Sequence, residues 1–232
     1  MVLRSPAPPL IQGQRLSRVY ALGAARVPAL REVDLSIQRA DFVVLCGPSG
    51  SGKTTLINLL GLLDRPDHGT LLVGGREVAG LDENARSDLR RDRFGFVFQT
   101  FSLVPVLSAA ENVELPMTLR KLARPARRER ARSLLARVGL QGKDAVRPDL
   151  LSGGERQRVA VARALASDPE VVFADEPTAN LDSRGAGEIL DLMRELNAER
   201  QVAFVVATHD PRVVERARRV ILIEDGRIVR ET

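Results

Sequence analysis

Residues 42–60 read FVVLCGPSGSGKTTLINLL, and the order of the pieces in that stretch decides the fold class. A short apolar run of β type, Phe42 to Cys46, enters a glycine-rich turn, and a helix is expected to leave it over residues 53–62. The turn, GPSGSGKTT at residues 47–55, satisfies the pattern G-x-x-x-x-G-K-[ST] in the strand–turn–helix setting the pattern requires. Gly50 and Gly52 let the backbone curl so that successive N–H groups point inward at a phosphate. The helix start adds the positive end of its dipole. The expected nucleotide contacts are therefore Gly47, Pro48, Ser49, Gly50, Ser51, Gly52, Lys53, Thr54 and Thr55. Lys53 reaches the β- and γ-phosphates and counts among the catalytic groups, and the Thr54 hydroxyl is a ligand for Mg²⁺. Alone, the motif says nucleotide binding and nothing more.

Downstream, VVFADEPT places Asp175 at the end of a buried strand, where its carboxylate holds Mg²⁺ directly or through water. Glu176 follows at once. Adjacent residues leaving a strand point in different directions, so the second carboxylate can face the γ-phosphate and orient the attacking water as general base. His209, in ATHD, ends another apolar run, beside the place where parallel sheets hold their ligands. The other histidine, His68, lies in RPDHGT, which reads as an exposed turn, and is given no chemistry.

Strand-like runs at 33–37, 42–46, 94–98, 171–174 and 202–207 alternate with helical stretches, one of which carries Ala186, Ile189, Leu190 and Met193 on one face. That alternation argues for a mainly parallel sheet covered on both sides. A hairpin at 70–78, turning at Gly74-Gly75, argues for an antiparallel annex, and a helical block over about 100–167 for an inserted subdomain. A second hairpin closes the chain at Asp225-Gly226. The expected fold is thus α/β, with residues 1–13 a disordered tail and 14–232 a single domain.

No apolar stretch reaches the roughly 18 residues of a membrane-spanning helix. Cys46 has no second cysteine to pair with, which fits a reducing compartment. Of the 35 basic residues, only Lys53, Lys121 and Lys143 are lysines, so an ammonium kept at position 53 is informative. The basic run at 120–132 contains no aromatic residue, and Ala131, Leu134, Leu135 and Val138 follow at helical spacing. It reads as a solvated helix face, not a nucleic-acid surface.

A second glycine motif, LSGGERQ at 151–157, opens a helix about 20 residues before Asp175. Read by itself, Ser152-Gly153-Gly154 is either a plain N-cap or an anion site. With the phosphate loop and the paired acids, it makes the chain resemble the ATP-binding-cassette (ABC) ATPases over nearly all its length after about residue 14. The resemblance implies a P-loop NTPase (RecA-like) core and gives further residues roles. Gln99 looks like the Q-loop residue, a metal ligand and sensor of the γ-phosphate. Asp182, in ANLD, looks like the D-loop acid at a dimer contact. His209 resembles the switch histidine, and Tyr20 stands where the family stacks an aromatic on adenine. The segments LINLLGLLDRPDHG and ADEPTANLDS are most similar to subunits serving lipoprotein-releasing and macrolide-export permeases. Three departures stand out: Ala40-Asp41 in place of Gly-Glu, Glu155 in place of Gln, and Ala179 in place of Gly.

The family further implies a head-to-tail pair of copies, each clamping the partner's γ-phosphate through Ser152, Gly153 and Gly154. It implies an integral membrane permease as partner, ATP and Mg²⁺ as the bound species, and a peripheral place on the cytoplasmic face of the membrane. A repair or translation ATPase is disfavoured, because Gly47 and Asp175 lie too close for a coiled-coil arm and each motif occurs once. A kinase or GTP switch is disfavoured by the second glycine motif and by Glu176.

Overall fold

The computed structural model describes residues 8–23, 25–215 and 217–232. Its first element, β1 (Ile11–Leu22), pairs antiparallel with β2 (Ala25–Ile37), and β3 (Phe42–Cys46) then runs into the phosphate loop and α1 (Lys53–Leu60). Next come β4 (His68–Val73), β5 (Arg76–Glu77), α2 (Glu83–Arg93) and β6 (Phe94–Val97). Three helices follow, α3 (Ala109–Leu119), α4 (Arg124–Arg137) and α5 (Gly153–Leu165). The chain closes with β7 (Val171–Asp175), α6 (Ser183–Arg200), β8 (Ala203–Thr208), α7 (Pro211–Val214), β9 (Arg219–Glu224) and β10 (Arg227–Glu231).

The central sheet has the order β10-β9-β3-β8-β7-β6, parallel throughout except for the edge strand β10. Successive side chains of a strand point to opposite faces, and here both faces are buried. Val43, Leu45, Phe173 and Val205 enter one core with α1 and the smaller sheet; Val44, Val172, Phe204 and Val206 enter the other with α3 to α6. That two-sided burial is why these strands read as unbroken apolar runs. The smaller sheet, β2-β1-β4-β5, is wholly antiparallel and forms the expected annex. In the last hairpin Asp225 and Gly226 both take positive φ, 46° and 75°, as a tight two-residue turn demands.

The structure corrects several boundaries. The tail expected over 1–13 ends earlier: Leu10 is buried and Ile11 opens β1, while residues 1–7 lie outside the described residues. The strand read at 33–37 is the end of a thirteen-residue β2 whose first five positions, ARVPA, are not buried, do not alternate and include Pro28, which reads against a strand. Helix α2 has no apolar stripe to mark it in the sequence, because ENARSDLRRDR buries only Arg86. The helical block begins at Ala109, not near 101. Residues 101–108 are irregular, pinned by the buried Asn112, whose side chain accepts from Val104 N–H and donates to the carbonyls of Val104, Leu107 and Ser108. His68 is exposed, as expected, but it opens β4 opposite Ser17 instead of sitting in a turn.

Candidate nucleotide site

The phosphate loop is held in shape by contacts only glycine permits. Gly47 has φ 148°, and a Cβ there would lie 2.0 Å from the Ile223 carbonyl oxygen. Gly52 has φ 108°, with the Ala29 carbonyl 2.5 Å from where its Cβ would be. Side chains are thereby excluded from the two points where strand becomes loop and loop becomes helix. Lys53, only 7% exposed, turns its ammonium back into the loop and donates to the carbonyls of Gly47 (2.8 Å) and Pro48 (3.0 Å). Its charge is already stationed where phosphate oxygens would arrive.

Beside it, the Thr54 hydroxyl donates to Asp175 Oδ1 at 3.1 Å, joining the start of α1 to the end of β7 across 121 residues. Burial pushes the Asp175 carboxyl above its usual range, and the adjacent Glu176 pushes the same way; the Thr54 hydrogen bond and Lys53 oppose them. Two neighbouring carboxylates, one of them desolvated, make a place that favours a cation. A hydroxyl and a carboxylate are hard oxygen donors that suit Mg²⁺, which takes few protein ligands and completes its shell with waters and phosphate oxygens. Among the described residues no cluster of three His, Cys, Asp or Glu competes as a metal site.

Glu176 leaves β7 with φ 47°, a left-handed conformation that costs a non-glycine residue of order 1–3 kcal/mol and is held here by the N–H bond to the Ala207 carbonyl, 2.9 Å. The bend sends its carboxylate away from that of Asp175. Oε2 accepts from the Thr208 hydroxyl (3.2 Å), and Oε1 lies 2.8 Å from Nδ1 of the largely exposed His209. Lys53, Thr54, Gln99, Glu176 and His209 all line one hollow of about 620 Å³, with Pro48, Ser49, Gly50, Gly52 and Thr55 forming its floor.

Other expected residues sit elsewhere. Ser152 caps α5 reciprocally with Glu155: its hydroxyl accepts from Glu155 N–H at 3.3 Å, and the Glu155 carboxylate accepts from Ser152 N–H at 2.9 Å. The first-turn amides of Gly153 and Gly154 have no intrahelical acceptor, as helix geometry dictates. None of these three residues lines the hollow in this chain. Asp182 caps α6 by accepting from Gly185 N–H at 2.8 Å. Tyr20 lies outside the hollow as well; its hydroxyl donates to Asp64 (2.8 Å) and Arg18 covers its ring at 4.9 Å. It pairs across the hairpin with the exposed Val27, two residues before Ala29, a wall of the hollow. Sequence reading missed Val27 and Ala29, which lie in ARVPA, where Pro28 and the lack of alternation give no strand signal.

The departures at Ala40-Asp41 find a physical account. Ala40 has φ 58°, where glycine is at ease, and Asp41 binds Gln38 N–H (2.8 Å) and Arg219 (2.6 Å).

The family model described as ABC transporter matches residues 30–179. The chain is 48% identical over 95% of its length to the macrolide export ATP-binding/permease protein MacB of Burkholderia pseudomallei (strain 1710b), but covers only 34% of that protein. It spans about a third of the MacB relatives it matches. It is 46% identical to the lipoprotein-releasing system ATP-binding protein LolD of Bordetella pertussis, with 95% of each chain covered. A dimeric post-hydrolysis structure of the cassette MJ0796 bound to ADP and Pi superposes with a TM-score of 0.88 at 39% identity, covering 96% of this chain and 97% of that one.

Proposed function

The chain belongs to the ABC transporter family, and from that premise we propose that it binds Mg-ATP, pairs head to tail with a second copy, and hydrolyses the nucleotide to drive an integral membrane permease. One observation carries the reading: Thr54 and Asp175, 3.1 Å apart, stand beside a hollow onto which Lys53, Gln99, Glu176 and His209 all open.

In the reaction proposed, Lys53 exchanges the carbonyls of Gly47 and Pro48 for the β- and γ-phosphates, and the amides of residues 47–55 surround the same oxygens. Thr54, Asp175 and Gln99 are the residues that would hold Mg²⁺, whose charge, when bound, neutralises the phosphates. Glu176 takes the proton of the attacking water, and His209 fixes the Glu176 carboxylate and donates toward the γ-phosphate. The uncovered face of Tyr20, with Val27 beside it, receives the adenine. Ser152, Gly153 and Gly154, which lie outside the hollow of their own chain, close on the partner's γ-phosphate, and Asp182 meets the partner nearby. The family likeness and the dimeric state of the similar MJ0796 cassette support that pairing.

Beside residues 99–102, an apolar groove of about 390 Å³ is floored by Phe96, Phe98 and Leu115, with Leu119 exposed at its lip. It is the proposed seat of the permease, of export or lipoprotein-release type, which puts the chain on the cytoplasmic face of the membrane. No helix among the described residues is long and apolar enough to cross a membrane. Release of phosphate from ATP by the purified chain, abolished by chelating magnesium and by Lys53→Met, is the expected result. Hydrolysis that survives Lys53→Met contradicts the assignment.

A further inference from the structure

On the head-to-tail reading, Gln99 serves the chain's own nucleotide while Ser152 serves the partner's. Within one chain the two are mechanically joined. The Asn180 side chain donates to the Gln99 carbonyl at 2.7 Å, and the backbone of Asn180 with the side chain of Leu181 lies against Gly153, each 3.5 Å from the position of a Cβ there. The second link is stiffer. Helix α5, which Ser152 caps, carries Arg163, whose guanidinium donates to the carbonyls of Phe101 (2.9 Å) and Ser102 (2.5 Å). Two helical turns earlier, Arg156 stacks over the Phe101 ring at 5.1 Å.

Two observations make this more than packing. Phe101 and Ser102 are consecutive non-glycine residues with left-handed backbones, φ 62° and 48°, a strained pair that persists only where its surroundings over-determine it. Arg163 is a half-buried cation on the wall of the apolar groove that, among the described residues, pairs with no carboxylate and is held by main-chain carbonyls. With no counter-charge beside it, the desolvation of this cation is offset by those two carbonyl bonds, which fix the backbone of residues 101 and 102 in return.

We propose that Arg163 is a positioning residue that ties residues 99–102 to the helix beginning at Ser152, so that nucleotide sensed by Gln99 in one site adjusts the serine lent to the other. The two ATP sites of the dimer are then coupled through each chain, by a two-state element that both sites bias. Reciprocity follows: filling either site favours filling its partner.

The inference rests on the dimer reading, so dimerisation is measured first, by light scattering of Glu176→Gln with Mg-ATP. A monomer there defeats the dimer reading itself. With the dimer established, the rate of ATP hydrolysis is followed against ATP concentration for wild type, Arg163→Met and Arg163→Lys. The Hill coefficient is expected to fall from above 1, toward the ceiling of about 2 set by two sites, to about 1 in Arg163→Met. Arg163→Lys, which keeps the charge but cannot span both carbonyls, falls between. Affinity of the monomer for a fluorescent ATP analogue should stay within about threefold, because Arg163 touches no part of the hollow. A purely structural role would change melting temperature and maximal rate while leaving the Hill coefficient alone. A wild-type Hill coefficient in folded Arg163→Met, or in Arg163→Lys should the first variant not fold, overturns the proposal. So does a wild-type coefficient of 1.

Discussion

Glu176 and His209 share a hydrogen bond of 2.8 Å between Oε1 and Nδ1, although they end different strands and lie 33 residues apart. The parallel pairing of β7 with β8, in which Asp175 faces Ala207, places the two strand ends side by side. The left-handed turn at Glu176 then aims its carboxylate at the imidazole instead of at Asp175.

Removing the base separates binding from chemistry. Glu176→Gln keeps a similar shape and is expected to bind ATP and accumulate as a dimer while phosphate release falls by at least about 10²-fold. His209→Ala should lower kcat by a comparable factor and weaken ATP binding less than Lys53→Met does, since the histidine meets the nucleotide only at the γ-phosphate. Phosphate release and light scattering read both. Turnover at wild-type rate in Glu176→Gln removes it from its role.

Lys53 governs affinity. Hydrogen bonds to a charged group contribute about 1.5–3 kcal/mol, so Lys53→Met should weaken ATP binding by roughly 10- to 150-fold. The loop keeps its glycine-only backbone at Gly47 and Gly52, so the variant should fold. Equilibrium titration with a fluorescent analogue measures the change.

Asp175 sets a conflict between stability and function. Burial raises its carboxyl pKa in the folded chain, so the folded state holds the proton more tightly than the unfolded one. Stability from this group is therefore complete below the unfolded carboxylate pKa and is lost as pH rises through the elevated folded value. At neutral pH without nucleotide, Asp175→Asn should raise the melting temperature while abolishing magnesium-dependent hydrolysis. A lower melting temperature would show that the charge is compensated in the free chain.

Ala40 carries strain that a single substitution relieves. Its φ of 58° disfavours any side chain, whereas glycine adds freedom to the unfolded chain. The difference favours Ala40→Gly by roughly 0.5–1 kcal/mol, or about 1–4 °C in Tm for a chain of this size. Thermal melts of the two proteins decide the sign.

How much of this was legible beforehand depended on burial. Strands β3, β7 and β8 are covered on both faces, so their sequences are apolar without interruption and the residues at their ends could be named. The phosphate loop was legible because a backbone that must curl allows few residues. The arm formed by β1 and β2 was only partly visible, because its outer half meets solvent and so need not alternate, and Pro28 interrupts the pattern. The same exposure hid Val27 and Ala29. Arg163 was invisible for another reason: its partners are backbone carbonyls 61 and 62 residues away, which leave no mark on side-chain identity.

The central claim is that two half-sites distant within one chain meet between chains, and proximity tests it directly. In a background of Cys46→Ser and Glu176→Gln, one population carries Ser49→Cys and a second carries Ser152→Cys. Mixed with Mg-ATP and a short bifunctional maleimide, they should form a covalent dimer that does not appear without nucleotide. No mixed dimer with ATP bound, together with internal linkage in a chain carrying both cysteines, would contradict the account.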